Sequence, residues 1–428
     1  MANVALICPP LPGHLNPTTA LGRALKRRGH AVTYFHIPGV EASVRKAGVD
    51  FKPVGEPDTG VLAARIRKMS ELSGLKSLRF AVACSRECSA ILCESLPGAL
   101  SDAAIDLLIV DQNEPAGGTV AEHLGLPFIS ICPSLPLNRE PDIPPPFVPW
   151  PYNTGRWARL RNRIGSSVTD RLIAPINKTV NRYRSMWGLP RLLRPDDSFS
   201  PIAQICQMTS DFDFPRRELP ESFHYVGPFC DRTGPESAFP FERLSGKPLI
   251  YASLGTLQEG NSGTFRVIAK ACAGLDAQLV IATGGSKGRP LTDLPGSPIV
   301  VNYAPQLEIL SRASLTITHA GLNTVMQSLA FGVPMIALPI THDQPGIAAR
   351  VKRSGTGEVI PAARVTAPHL QAAVQRVMTD PLCRIRAGAL RASIQRAGGV
   401  ERAATIVEDV LLNQRGCCRR QSDALRNH

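Results

Sequence analysis

NVALICPPLPGHLNPTTALGRALKRRGHAVTYF, residues 3–35, passes through two periodicities. Asn3 to Cys8 is a continuous apolar run that reads as a buried strand, and Pro9 to Pro17 reads as a loop. Thr18 to Arg28 has helical spacing, Gly29 can end that helix in a left-handed conformation, and His30 to Phe35 is a second strand. The pattern returns as a strand at Ile105 to Val110, a helix from Ala116 to Leu124 and a strand at Phe128 to Ile131. Strands joined by crossover helices form parallel α/β sheets.

From Leu249 the alternation starts again, with β-rich runs at Leu249 to Ala252, Gln278 to Ala282, Ile299 to Val301, Leu315 to Thr318 and Met335 to Leu338. Gly125-Leu-Pro-Phe-Ile and Gly332-Val-Pro-Met-Ile each close a helix on glycine and enter a strand through proline. Two doubly wound, Rossmann-like domains are expected, joined by the Gly-, Pro- and Ser-rich linker Gly227 to Pro248. A chain of 428 residues suits two or three domains, and 43% hydrophobic against 19% charged residues excludes wholesale disorder. No run approaches the roughly 18 apolar residues of a membrane span. The scattered cysteines, none in a C-x-x-C pair, fit reduced thiols in a cytosolic compartment.

The net charge of +13 is unevenly spread. Arg156 to Arg194 holds ten basic residues and the single acid Asp170, whereas the rest of residues 1–221 is net acidic. No zinc-finger spacing or aromatic RNA-binding strand accompanies the basic segment, which argues against nucleic acid.

Ligands of open α/β sheets bind beyond the carboxyl ends of the strands. His14, in the loop after the first strand, is there placed to act as a general base or simply to cap a helix. Asp111, at another strand end, is suited to orient that histidine or to cap the next helix. LTITHAGLNTV, residues 315–325, runs from a strand through a small-residue turn into a helix, an anion site furnished by His319, Asn323 and Thr324. ASLGT, residues 252–256, offers Ser253, Gly255 and Thr256 at a second such turn. Asp211 and Asp213 alternate with Phe212 and Phe214, which reads as an edge strand with outward acids and no metal. Cys84, Cys88 and Cys93 share one helix without a histidine partner and read as core thiols.

Together, His14, Asp111, YAPQ (303–306), THAGLNT (318–324) and HDQ (342–344) resemble the inverting UDP-sugar glycosyltransferases of the GT-B fold. VDQNEPAG (110–117), DFPRRELPESFHYVGP (213–228) and HDQPGIAAR (342–350) are similar to the branch of that family that glucosylates hydroxylated carotenoids. The resemblance implies glucose transfer from UDP-glucose to a hydroxylated carotenoid or another lipophilic acceptor such as a terpenoid, sterol or polyketide, giving a mono- then a diglucoside. It implies His14 as base and Asp111 as its orienting carboxylate. It places Ser253, Thr256, Gln306, His319, Gly321, Asn323 and Thr324 around the donor, Tyr303 on the uracil, Gln327 at the ribose, and Asp343 and Gln344 on the glucose hydroxyls. No metal or other cofactor is expected. Where plant relatives have a glutamate at the ribose, Gln327 has one acceptor oxygen instead of two.

On this reading residues 1–228 form the acceptor-binding domain, 244–410 the nucleotide-sugar-binding domain, and 411–428 a tail. Two other readings are a nucleotide-sugar isomerase on the same fold and a catalytically silent binding protein. A bilayer-resident acceptor adds a membrane expectation: peripheral attachment of a cytoplasmic protein to an anionic surface through residues 144–194. There Phe147, Trp150, Tyr152 and Trp157 accompany Arg156, Arg159, Arg161 and Arg163.

Overall fold

A computed structural model describes residues 1–56, 60–62, 64–65, 68, 72, 74–231, 238–255, 262–285 and 291–426, with side chains, those of 74 and 75 excepted, as far as residue 414. Thr256 therefore lies outside the described residues. The chain forms two sheets, and among the described residues every strand pairing is parallel.

The first sheet comprises β1 (Asn3–Ile7), β2 (Ala31–His36), β3 (Asp50–Pro53), β4 (Leu107–Asp111), β5 (Phe128–Cys132), β6 (Gln204–Cys206) and β7 (Phe223–Tyr225), in the order β3-β2-β1-β4-β5-β6-β7. The second comprises β8 (Leu249–Ser253), β9 (Gln278–Ala282), β10 (Ile299–Val301), β11 (Ala313–Thr318), β12 (Met335–Ala337) and β13 (Gly357–Val359), in the order β10-β9-β8-β11-β12-β13. In each sheet the order reverses beside the first strand, so the topological switch points lie between β1 and β4 and between β8 and β11. The central strands are buried on both faces, which accounts for their unbroken apolar runs.

The helices that bear on the site are α1 (Pro12–Arg27), α2 (Gly74–Ser101), α3 (Pro115–Leu124), α4 (Arg156–Met186), α5 (Leu322–Ala330), α6 (Gln344–Ser354) and α7 (Gly399–Arg426). The start of α1 corrects the sequence reading, since the helix begins at Pro12 and Pro17 lies inside it. Pro12 is at home in the first turn, where its missing N–H costs nothing. Pro17 leaves the carbonyl four residues back, that of Gly13, without its intrahelical donor. The Thr18 and Thr19 hydroxyls donate to the carbonyls of His14 and Leu15 at 2.8 and 2.9 Å.

Two sets of contacts, besides those at the site itself, tie the sheets together. α7 starts at Gly399, within the 244–410 span, and returns to the first sheet, where Val400, Ala403 and Val407 join the core of β1 and α1. On the other side Asp213 accepts from Arg350 Nε of α6 at 2.7 Å, Arg216 Nε at 3.0 Å and Tyr225 hydroxyl at 2.7 Å. This corrects the reading of residues 211–214 as an edge strand with outward acids. No strand forms there; Asp211 is exposed as expected, but Asp213 is buried, as are Phe212 and Phe214. Burial opposes the Asp213 charge, but Arg350 and Arg216 outweigh it and hold the carboxyl well below the usual carboxylate range.

Candidate active site

The site is built from strand ends. β4 terminates in Asp111 and α1 opens with His14 in its first turn, so the two side chains meet at the switch point of the first sheet. His14 Nδ1 donates to Asp111 Oδ2 at 2.7 Å, while Asp111 Oδ1 accepts from the Asn113 backbone at 2.8 Å and its side-chain amide at 3.1 Å. The carboxylate is thus fixed by three hydrogen bonds and is 1% exposed. The His14 side chain is 19% exposed, and its Nε2 has no hydrogen bond among the described residues. Burial disfavours the imidazolium, but the charge and hydrogen bond of Asp111, with the charge of Asp343, hold the His14 pKa above its ordinary value.

Asp343 comes from the second sheet, at the N-terminus of α6. Burial raises its pKa, opposed by His14 and His342, so the end of α6 faces the His14 pair across the seam. His342 adopts a φ of +55°, an uncommon conformation for a residue with a side chain, and turns the chain just ahead of Asp343. Gly346 allows the approach of the two units. A Cβ there would stand 2.3 Å from the Pro146 carbonyl oxygen. The Gln344 side-chain oxygen, Oε1, accepts from the Ile340 and Thr341 N–H groups at 2.8 and 2.9 Å, which leaves its NH2 for a ligand.

The turns after β8 and β11 abut, since Ser253 pairs in register with Thr318. His319 packs between Gly255 and Gly321, where added Cβ atoms would lie 2.8 and 2.5 Å from its Nε2. Burial lowers its pKa to about 4, so it is neutral at pH 7, and its Nδ1 is buried without a hydrogen-bond partner. Gly321 caps α5, whose first-turn N–H groups and positive dipole end lie next to Thr324, an arrangement suited to an anion.

Asn323 is more committed than sequence suggests. Its NH2 donates to the Gly13 carbonyl at 2.9 Å, the group that Pro17 leaves without a partner, and its oxygen accepts from Gln207 Nε2 at 2.6 Å. Gln207, at the end of β6, therefore fixes which way the Asn323 amide points. Sequence reading assigned Gln207 no role in the site.

At the far end of the second sheet Tyr303 is 56% exposed and stands against Gly285, where a Cβ would meet its hydroxyl. The Tyr251 hydroxyl donates to Gln306, whose NH2 donates to the Gln327 oxygen. The single acceptor oxygen of Gln327 is already engaged, so it is the NH2 that Gln327 has free.

Two further features flank His14 and Asp111. A cavity of about 150 Å³ lies beside Asn113, lined mainly by apolar groups of Leu137, Ile143, Pro144 to Phe147, Ile173 and Ile176. On the other side Glu114, His36 and Cys88 form a buried cluster. Cys88 lies 3.6 Å from His36 Nε2, which corrects the reading of these thiols as lacking a histidine neighbour. Burial raises Glu114 to about 7 and lowers His36 to about 3, so at neutral pH His36 is uncharged and Glu114 is near the midpoint of its titration.

Comparison with known proteins completes the description. The family model described as UDP-glucoronosyl and UDP-glucosyl transferase matches residues 58–393. The chain is 36% identical to the zeaxanthin glucosyltransferase of Pantoea ananas, over 96% of both chains. It is also 36% identical to that of Pseudescherichia vulneris, over 96% of this chain and 98% of the other. Among solved structures it is similar to the glycotransferase of kitacinnamycin, with a TM-score of 0.73, 24% identity, and 96% and 98% of the two chains covered.

Proposed function

The chain belongs to the UDP-glucoronosyl and UDP-glucosyl transferase family, and on that premise we propose that it moves glucose from UDP-glucose to a hydroxyl of a hydroxylated carotenoid such as zeaxanthin. The observation that carries this reading is the 2.7 Å contact of His14 with a buried Asp111, with an apolar cavity at the neighbouring Asn113. The acceptor hydroxyl gives its proton to His14 Nε2 as its oxygen attacks the anomeric carbon from the face opposite UDP. The bond from that carbon to the phosphate oxygen breaks, its electrons leave with UDP, and the configuration inverts. Asp111 holds the proton on Nδ1, so that Nε2 presents its lone pair.

Charge on the departing diphosphate is met by the α5 N-terminus, Thr324 and His319, a fixed set of dipoles that requires no metal. Ser253, Thr256, Gly321 and Asn323 belong to the same donor region, with Tyr303 on the uracil, Gln306 and Gln327 near the ribose, and Asp343 and Gln344 on the glucose. The equivalent ends of the acceptor give a mono- and then a diglucoside. Such an acceptor resides in lipid, so the enzyme works as a peripheral protein on the cytoplasmic side of an anionic membrane. Among the described residues no helix is long and apolar enough to cross one.

One incubation tests the assignment: UDP-[14C]glucose with and without zeaxanthin, using the wild type and His14→Ala. Radiolabel should enter a carotenoid monoglucoside first and a diglucoside later, at a rate at least about 10²-fold lower in His14→Ala. Conversion of UDP-glucose without acceptor would point to isomerase chemistry. Near-normal transfer by His14→Ala would overturn the mechanism.

A further inference from the structure

The outward side of α4 carries an apolar stripe. Trp157, Leu160, Ile164 and Val168 recur at intervals of three, four and four, and are 84%, 47%, 57% and 47% exposed. That spacing gathers them into one stripe. Arg156 and Arg163 border it, and Arg171 and Lys178 extend it along the helix. None of Arg156, Arg163 and Arg171 belongs to an ion pair among the described residues, whereas the one acid of the helix, Asp170, is covered by Arg139. A helix that merely faced water would carry polar side chains at 164 and 168. The inward side of the same helix has a different task, since Thr169, Ile173 and Ile176 wall the cavity beside Asn113.

We propose that this face of α4 docks on an anionic lipid surface, with the four apolar side chains in the headgroup region and the free arginines on lipid phosphates. One helix then has lipid on its outer face and the acceptor cavity on its inner face, so that docking brings the cavity to the bilayer. The inference rests on the lipophilic-acceptor reading for its purpose, but the surface is defined by the helix alone. It is narrower than the 144–194 segment singled out from sequence. Phe147 lines the cavity, Trp150 packs against Gly165 beneath Arg161, and Tyr152 packs on Phe214. Arg159 is held by Asp142 at 2.6 Å. Of the four aromatic residues, Trp157 alone is fully exposed. Apolar insertion and attraction to anionic lipid add together in such helices.

The test is co-sedimentation of the full chain with phosphatidylglycerol vesicles and with phosphatidylcholine vesicles at rising salt. Two variants are compared: Leu160→Asn with Ile164→Asn and Val168→Asn, and Arg156→Gln with Arg163→Gln and Arg171→Gln. Wild type should bind phosphatidylglycerol and be released by salt. Either variant should bind at least tenfold less, while keeping its rate on acceptor dispersed in detergent and losing rate on acceptor embedded in vesicles. Ile164→Asn alone is the companion if the triple variant does not fold, and a several-fold loss is expected.

Undiminished sedimentation of these variants would overturn the proposal. So would unchanged vesicle binding together with a shift from dimer to monomer in light scattering, which would assign the face to a second copy of the chain. Failure of the wild type to glucosylate detergent-dispersed carotenoid would instead count against the acceptor reading, with sedimentation still deciding the docking.

Discussion

Replacing Asp111 by asparagine preserves the size of the side chain and removes its charge. Asn113 donates two hydrogen bonds to Oδ1, and an asparagine keeps both only by placing its own oxygen there, which turns its NH2 toward His14. The imidazole must then accept at Nδ1 and carry its proton on Nε2. The nitrogen assigned to the acceptor hydroxyl loses the lone pair that would take the proton. General-base catalysis contributes about 10²- to 10⁴-fold, so kcat for glucosyl transfer should fall by that factor, roughly 3–5 kcal/mol of barrier. Titration calorimetry should find UDP affinity unchanged, because Asp111 belongs to the first sheet and the donor region to the second.

The pH profile gives a second readout. The His14 pKa is raised in the folded protein, so in wild type the rate declines as pH falls through a value above the ordinary 6.5. In Asp111→Asn the main raising influence is gone while burial remains, so the acidic limb of the residual activity should move to lower pH. A variant with kcat within threefold of wild type and an unmoved acidic limb would refute the role given to this pair.

Two other outcomes follow from the geometry. Arg350→Ala leaves the buried Asp213 carboxylate with Arg216 as its remaining nearby cation and should lower urea-measured stability by about 3–5 kcal/mol. Because the folded pKa of Asp213 is depressed, its contribution is full above the ordinary carboxylate value and fades as pH falls toward the folded one, so the gap between the two proteins should narrow below about pH 4. Transfer activity should survive EDTA, and loss of activity restored by Mn²⁺ would show that the diphosphate is not held by the α5 turn alone.

The two sheets were legible because their central strands are apolar runs, two of them entered through a Gly-x-Pro that ends the preceding helix, at Gly125 and Gly332. β6, β7 and β13 were not: QIC, FHY and GEV are three residues each and mix polar with apolar side chains, whereas the equally short β10 and β12 are apolar throughout. The His14 and Asp111 positions could be read from their strand ends, but not their contact, because 97 residues separate them. Asp213 was misread because alternation with Phe212 and Phe214 looks the same in an edge strand and in a buried turn whose counter-ion, Arg350, lies 137 residues away. The first turns of α1 were missed for a simpler reason. Two prolines in six residues argue against helix in any local account, and the donor that satisfies the carbonyl freed by Pro17 comes from the other sheet.

That proline sets a trap for anyone who would improve this enzyme by selecting for heat resistance. Alanine is preferred over proline inside a helix by about 3 kcal/mol, and Pro17→Ala would also supply the N–H that closes the helix onto the Gly13 carbonyl. The same N–H would compete with Asn323 for that oxygen, so clones enriched for a tougher helix would have a looser seam between their halves. Melting temperature and turnover would diverge at this residue, and each round of a thermostability campaign would have to score both.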